Sequence, residues 1–291
     1  MREYSLPEKI IKALYPPFLY WLIQSIVGVA ASMILLFAYV SGNGGNVTSQ
    51  EVTSYLFDHS IMITLLGALF AIPVFYLLYR NDCKRKALFF GVSYTKPSRA
   101  QYAVVVLLAI SASGSLNFFV SILTTFLPQS MQQSFADVDR ALSTGSSFMQ
   151  AVTVVLAAPI VEELIFRGLL YKRLTTFIPA GWAMLLSGLA FGIYHGNFIQ
   201  GTYAFVLGVL LAYVMEKYQK ILAPVLFHMA ANGFAFFADE WGLYSRMSDR
   251  TFMNLVMLEI ILAVCMMRYI SQNVKVEKIE DKSTEQTDYQ W

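Results

Sequence analysis

The sequence has little charge for its length. Of its 291 residues, 14% are charged and 57% are hydrophobic, whereas an ordinary soluble domain has about 25% charged and about 45–50% apolar residues. A soluble domain of this size needs polar residues to cover the surface that stays exposed after folding. The 21 basic and 19 acidic residues are too few for this, and they crowd into short segments between long apolar runs. The composition excludes a soluble globular enzyme, a disordered chain and a nucleic-acid binder with a basic face.

Cysteine is also scarce. Cys83 lies in a basic segment and Cys265 lies inside an apolar run, and no CxxC spacing occurs. A thiol in a loop and a thiol within a membrane form a poor disulfide pair, and zinc sites built on cysteine need paired spacings. The sequence therefore predicts neither a disulfide nor a cysteine-based zinc site.

Long apolar runs dominate what is present. A bilayer core requires about 20 apolar residues in a helix, and eight runs approach or exceed that length. The sequence therefore predicts an all-α polytopic membrane protein of about eight transmembrane helices, forming a single membrane domain over residues 1–291. The predicted spans are 18–40, 61–79, 102–127, 148–174, 182–198, 202–215, 221–237 and 252–270.

The positions of lysine and arginine predict an orientation. If the N-terminus is cytoplasmic, all but three of the 21 basic residues fall in cytoplasmic segments, the exceptions being Arg140, Arg246 and Arg250. This bias follows the positive-inside rule, so we expect both termini in the cytoplasm. Residues 42–46 and 129–147 are then external loops. The charged tail, residues 272–291, has no apolar periodicity and is predicted to be disordered.

Polar and ionisable side chains interrupt four of the predicted spans, and three of these spans carry residues that could form one site. Such groups are costly in a bilayer, so they usually face the bundle interior and mark function or pairing. Alone, each has a structural interpretation: a helix end reaching the cytosol, a buried histidine, or an interhelical hydrogen bond. Three separate structural explanations are less convincing than one shared site. The residues are Glu162, Glu163, Arg167, His195, His228 and Asn232.

Helix geometry separates the two adjacent glutamates. Glu163 and Arg167 are four residues apart, so they share a helix face and are expected to pair. Glu162 points about 100° away from that face, which leaves its carboxylate available as a general base. Pro159 weakens the helix just upstream. Glu259, in the last span, belongs to no such pattern, and we favour a structural hydrogen bond over catalysis there.

Three short motifs together resemble a known family. EELIFR, FGIYH and HMAAN are similar to the EExxxR, FxxxH and HxxxN motifs of the CPBP (CaaX protease and bacteriocin-processing) family of Rce1-like intramembrane endopeptidases. The likeness covers roughly residues 157–234, within a catalytic core of about 148–237. Each motif alone is weak, but their order and their placement in spans are specific.

The resemblance implies a role for each motif residue. Glu162 is expected to activate water, assisted by His195, while His228 and Asn232 stabilise the oxyanion. Glu163 and Arg167 are expected to orient the first carboxylate.

Zinc is the alternative to metal-free catalysis, with Glu162, His195 and His228 as its ligands, because zinc sites accept nitrogen and oxygen donors. The HExxH motif of the common zinc proteases is absent. The amide of Asn232 is also a poor zinc ligand, so we favour no cofactor.

The predicted function is therefore hydrolysis of a peptide bond in a membrane-associated protein or peptide, in contact with the lipid bilayer and without a nucleic-acid partner. The competing hypothesis is a non-proteolytic membrane module, such as an antimicrobial-peptide immunity factor or a partner of a signalling protein. A transporter is less favoured, because no inverted repeat is seen. A bacterial cell membrane is the expected location. The physiological substrate and the oligomeric state are not predicted.

Overall fold

The protein is a helical bundle whose helices run mostly antiparallel. The computed structural model describes residues 4–90, 92–94, 97–275 and 278–280, and side chains are described within 4–85 and 97–275. Ten helices in these ranges are numbered here in chain order, together with two short strands. They are α1 (Leu6–Gly42), α2 (Ser49–Asp58), α3 (Ser60–Phe90), β1 (Val92–Tyr94), α4 (Arg99–Thr125), α5 (Gln129–Leu142), α6 (Ser147–Leu174), α7 (Ala180–Tyr194), α8 (Phe198–Tyr218), α9 (Leu222–Glu240), α10 (Asp249–Asn273) and β2 (Lys278–Glu280).

The predicted membrane helices are confirmed. Seven helices among the described residues are long and apolar enough to cross a membrane, and α7, with 15 residues, is a shorter apolar helix. Each of the eight predicted spans coincides with one of them. The first span was predicted too short, because α1 is one helix of 37 residues that continues through Pro16 and Pro17.

One end of the bundle carries a helix where a loop was predicted, and a second short helix that follows the other predicted loop. Within residues 129–147, α5 is an amphipathic helix, and α2 precedes α3 at the same end. The Thr48 side chain accepts a hydrogen bond from the Glu51 backbone N–H, and the Thr48 N–H donates to Glu51 Oε2 over 2.7 Å. This second bond lowers the pKa of the exposed Glu51 carboxyl. Such a capping box explains why α2 begins where it does.

The opposite end gathers the segments that carry most of the basic residues. Arg173 Nε donates to Asp82 over 2.8 Å and its Nη1 donates to the carbonyl of Lys12 over 2.6 Å, which joins α6 to α3 and α1. Strands β1 and β2 pair antiparallel at this end. The basic segments therefore share one end, as the topology prediction requires, while the cytoplasmic assignment of that end remains a prediction. The tail prediction falls largely on residues 281–291, outside the described residues.

The core is built around α6. Residues 164–171 are all buried, and they pack against α1, α3, α7 and α8. By contrast, α1 exposes large apolar side chains such as Phe37 and Ile34, at 75% and 70% exposure. Because lipid replaces water around such a surface, exposed apolar residues are expected on a membrane helix. The polar side chains instead concentrate inside, around α6.

Glycines bring α7 and α8 into backbone contact. A Cβ at Gly192 would lie 2.6 Å from the carbonyl oxygen of Gly201, closer than real contacts allow. A Cβ at Gly208 would lie 2.9 Å from Cα of Gly188. Small residues at these positions let the two backbones approach closely, as membrane helix pairs commonly do. The α7–α8 pair therefore forms a tight hairpin beside α6.

Candidate active site

The two glutamates lie in a helix whose hydrogen-bond pattern changes around them. In α6, residues Ala151–Ala157 and Leu164–Tyr171 form π-helical turns, and the segment Ala158–Glu163 between them is α-helical. π-helical turns are uncommon and occur frequently at functional sites. Pro159 lies inside α6, at the change from the first π-helical turn to the α-helical segment, and it has no N–H to donate to a carbonyl of that turn.

Glu163 and Arg167 form the ion pair that their spacing predicts. Arg167 Nη1 donates to Glu163 Oε1 over 2.9 Å, and both side chains are completely buried. Arg167 Nη2 donates to the carbonyl of Gly208 on α8, also over 2.9 Å. A buried charge pair is stable only with such additional hydrogen bonds. The Arg167 guanidinium also lies 4.5 Å from the ring centre of Phe191.

His228 of α9 connects both glutamates. Its Nδ1 lies 2.8 Å from Glu163 Oε1, and its Nε2 lies 3.7 Å from Glu162 Oε2. The Glu163–Arg167 pair does not include Glu162, and among the described residues the two glutamates meet only through His228. The two carboxylates leave α6 in different directions, but one imidazole has a nitrogen on each of two edges. His228 is thus able to contact both.

His195 joins the site through an aromatic side chain. Its Nδ1 lies 2.8 Å from the carbonyl oxygen of Phe191, one turn earlier at the end of α7. Because a carbonyl only accepts, this bond places the proton on Nδ1 and leaves Nε2 as an acceptor in the neutral ring. The Phe191 ring packs edge-on against His195 and His228, with centroid distances of 4.7 and 5.6 Å. In the described part of the chain, His195 forms no ion pair with Glu162 within 4.0 Å.

Asn232 ties α9 to the first π-helical turn of α6. Its Nδ2 donates to the carbonyl of Val154 over 3.0 Å. The amide nitrogen carries two hydrogens, so a second donor remains. Asn232 lies one helical turn beyond His228, on the same face of α9.

The structure thus brings Glu162, Glu163, Arg167 and His228 into direct or near contact. It attaches His195 and Asn232 to the same region through Phe191 and α6. Sequence reasoning underestimated Phe191, which contacts Arg167 and both histidines. Its spacing of four residues from His195 was the available signal, since such residues share a helix face.

Glu259 does not join this cluster. Glu259 is 5% exposed and lies against Gly114 of α4, where a Cβ would overlap its carboxylate, and its Oε2 has no hydrogen-bond partner among the described residues. Among the described residues, no three His, Cys, Asp or Glu side chains lie close enough together to hold a metal ion.

A helical membrane bundle with a buried Glu–Arg–His cluster is the class of structure that the three motifs predict. Residues 144–234 match the family model described as type II CAAX prenyl endopeptidase Rce1-like. This match includes every motif residue and confirms the resemblance.

A curated relative gives a consistent result. The chain is 25% identical over 129 residues to the protein named "Putative membrane peptidase YdiL" of Bacillus subtilis (strain 168). The alignment covers 40% of this chain and 51% of that relative, so the chain spans about half the length of the relative it matches. No solved structure matches the chain significantly.

Proposed function

We propose that the protein is an intramembrane endopeptidase that hydrolyses a peptide bond of a membrane-associated protein or peptide. The observation that carries this proposal is the position of Glu162 beside His228 Nε2. The other ring nitrogen of His228 is hydrogen-bonded to Glu163, which pairs with Arg167. The family match and the relative named as a membrane peptidase support it. The substrate is expected to reach the site from the lipid bilayer, and a bacterial cell membrane is the proposed location.

The proposed role of His228 requires a proton on each of its two ring nitrogens. Two carboxylates face one guanidinium, and an imidazolium would pair with the second carboxylate, since buried charges are stable when paired. With Nδ1–H donating to Glu163, the imidazolium presents Nε2–H toward Glu162 and the space beside it. Glu163, held by Arg167, therefore orients His228 and, through His228, the first carboxylate, Glu162.

The proposed reaction uses one water molecule. Glu162, assisted by the Nε2 acceptor of His195, takes a proton from the water as its oxygen attacks the scissile carbonyl carbon. The oxyanion that forms accepts hydrogen bonds from His228 Nε2–H and from the second Nδ2 hydrogen of Asn232. The C–N bond then breaks, and the proton held by Glu162 passes to the leaving amine.

We favour a metal-free reaction because Asn232 is better suited to donate a hydrogen bond than to ligate a metal. The alternative places zinc on Glu162, His195 and His228, where the metal would act as a Lewis acid and activate water. Elemental analysis of the active purified protein, together with assays in a strong chelator, separates the two. Activity that is lost in chelator and restored by zinc would overturn the metal-free proposal.

The decisive experiment compares two buried glutamates. Purified protein in nanodiscs is incubated with a panel of membrane-associated peptides, and cleavage is followed by mass spectrometry. We expect Glu162→Gln to abolish cleavage and Glu259→Gln, the matched control, to retain it. Cleavage by Glu162→Gln at the wild-type rate would refute the role of Glu162.

A cellular assay tests the non-proteolytic alternative. If the double variant Glu162→Ala/His228→Ala fully restores the wild-type phenotype in a deletion strain, the protein acts as a membrane module and not through proteolysis. Loss of rescue with normal expression supports the protease.

A further inference from the structure

The carbonyl of Val154 lies where the hydrogen-bond pattern of α6 changes. In an α-helix this carbonyl accepts from the N–H four residues later, at position 158, and in a π-helix from the N–H five residues later, at position 159. The N–H of Ala158 donates to the carbonyl of Thr153 instead. Position 159 is proline, which has no N–H. Within the described residues of α6, the Val154 carbonyl therefore lacks both of its helical donors.

A side chain of α9 supplies the missing donor. Asn232 Nδ2 donates to the Val154 carbonyl over 3.0 Å. The two helices approach closely here, since position 233 is glycine and a Cβ there would lie only 3.3 Å from Val155 Cγ1. A backbone carbonyl that is left without a partner away from water is unfavourable. The freed carbonyl and the Asn232 amide therefore satisfy each other.

This bond decides how the Asn232 amide is turned. A carbonyl oxygen only accepts hydrogen bonds, so the NH2 group of the amide must face Val154 and Oδ1 must point away from it. Because the amide is planar, its second Nδ2 hydrogen then has a fixed direction. Without the Val154 acceptor, the amide would be free to turn over and present Oδ1 to the developing oxyanion, which would repel it.

We propose that Pro159 is a positioning residue that withholds a backbone N–H from the Val154 carbonyl, reserves that carbonyl for Asn232 and so directs the oxyanion donor. The inference rests on the proposed function, because Pro159 acts through the donor of that reaction. It also gives a reason for a proline three residues before Glu162, inside a membrane helix, where proline ordinarily costs stability.

Restoring the missing N–H with Pro159→Ala tests the proposal. The new N–H competes with Asn232 for the Val154 carbonyl, so the amide loses its fixed direction. One oxyanion donor is worth about 10²–10³ in kcat, and a misdirected donor should cost part of this, about ten- to a hundredfold, with KM unchanged. Alanine favours a helix, so the variant is expected to fold. Pro16→Ala is the matched control and should keep the wild-type kcat, because Pro16 is also buried inside a membrane helix, α1.

Repeating the change without the amide separates positioning from a merely structural role. In the Asn232→Ala background, Pro159→Ala should have no further effect on kcat, because the donor that it misdirects is already absent. A proline that only shapes the helix would reduce kcat by the same factor in both backgrounds. A wild-type kcat in Pro159→Ala, or equal losses in the two backgrounds, overturns the inference.

An NMR measurement provides a readout that does not depend on turnover. In protein labelled with 15N at asparagine, the side-chain signals of Asn232 are those that disappear in Asn232→Ala. The hydrogen bond to Val154 should displace one of these signals in the wild type and in Pro16→Ala, and the signal should move toward that of a free amide in Pro159→Ala. An unmoved signal overturns the inference. If Glu162→Gln cleaves at the wild-type rate, the proposed function fails, whereas the Asn232 signals still decide whether Pro159 reserves the Val154 carbonyl.

Discussion

Two buried carboxylates in this bundle have opposite surroundings. Glu163 on α6 receives a guanidinium and an imidazole from two helices and is fully enclosed. Glu259 on α10 is nearly as buried, yet it lies against a glycine and receives no hydrogen bond or ion pair among the described residues, whereas Glu163 lacks a partner at Oε2 alone. Burial of an acid in the membrane therefore does not by itself define a site. What distinguishes the α6 cluster is that side chains of α6 and α9 converge on its carboxylates.

The largest effect that we predict is a loss of stability when Arg167 is replaced. Arg167→Leu removes the partner of Glu163 and leaves an uncompensated buried charge, which typically costs about 3–5 kcal/mol of stability. We expect a large fall in the thermal unfolding midpoint in detergent. The double variant Arg167→Leu/Glu163→Leu should recover much of this loss. An unchanged midpoint in the single variant would contradict the buried pairing.

The next effect concerns catalysis at Asn232. Asn232→Ala removes a proposed oxyanion donor, which is typically worth about 2.7–4 kcal/mol, so kcat should fall by about 10²–10³. Ser113→Ala is the control, because Ser113 Oγ donates to the carbonyl of Ala231 over 2.9 Å and its loss also removes one bond between helices. Equal losses of kcat in both variants would contradict an oxyanion role.

A stabilising change is expected at Glu259. Because an unpartnered buried polar group costs about 1–3 kcal/mol, Glu259→Leu should raise the unfolding midpoint, whereas Glu163→Leu should lower it. Changes of opposite sign in the unfolding midpoint at the two positions would confirm the contrast between the carboxylates. A lower midpoint in Glu259→Leu would show that Glu259 has a partner in the membrane.

The smallest effect is predicted at the surface. Arg140 lies 3.9 Å from Asp137 on α5, and both side chains are more than half exposed. Exposed pairs contribute about 0–1 kcal/mol, so Arg140→Gln should leave both the unfolding midpoint and cleavage unchanged. A clear loss of stability would mean that α5 makes a contact beyond this pair.

The sequence was sufficient for features that depend on local periodicity. Apolar run length identified the eight apolar helices among the described residues, and i, i+4 spacing identified the Glu163–Arg167 pair. The helix α5 was missed even though its apolar residues Met131, Phe135 and Val138 follow helical spacing, because its polar content suggested a loop.

Features that depend on tertiary contact were not predictable in this way. The π-helical turns around Glu162 have no simple residue signature. The bridging of both glutamates by His228 depends on the depth of α9 against α6. The freed carbonyl of Val154 belongs to no motif, and its bond to Asn232 follows only from how α9 packs. Spacing rules describe one helix at a time, whereas these contacts arise between helices.

The close contact of α7 with α8 has a consequence for protein engineering. Because Gly192 and Gly201 leave no room for a side chain, the two helices of the hairpin lie in backbone contact, and together they supply His195 and the Gly208 carbonyl that accepts from Arg167. Grafting the glutamate motif alone onto a foreign scaffold would leave that guanidinium without its acceptor. A transplant that works must include the hairpin, with its glycines, as part of the same cassette.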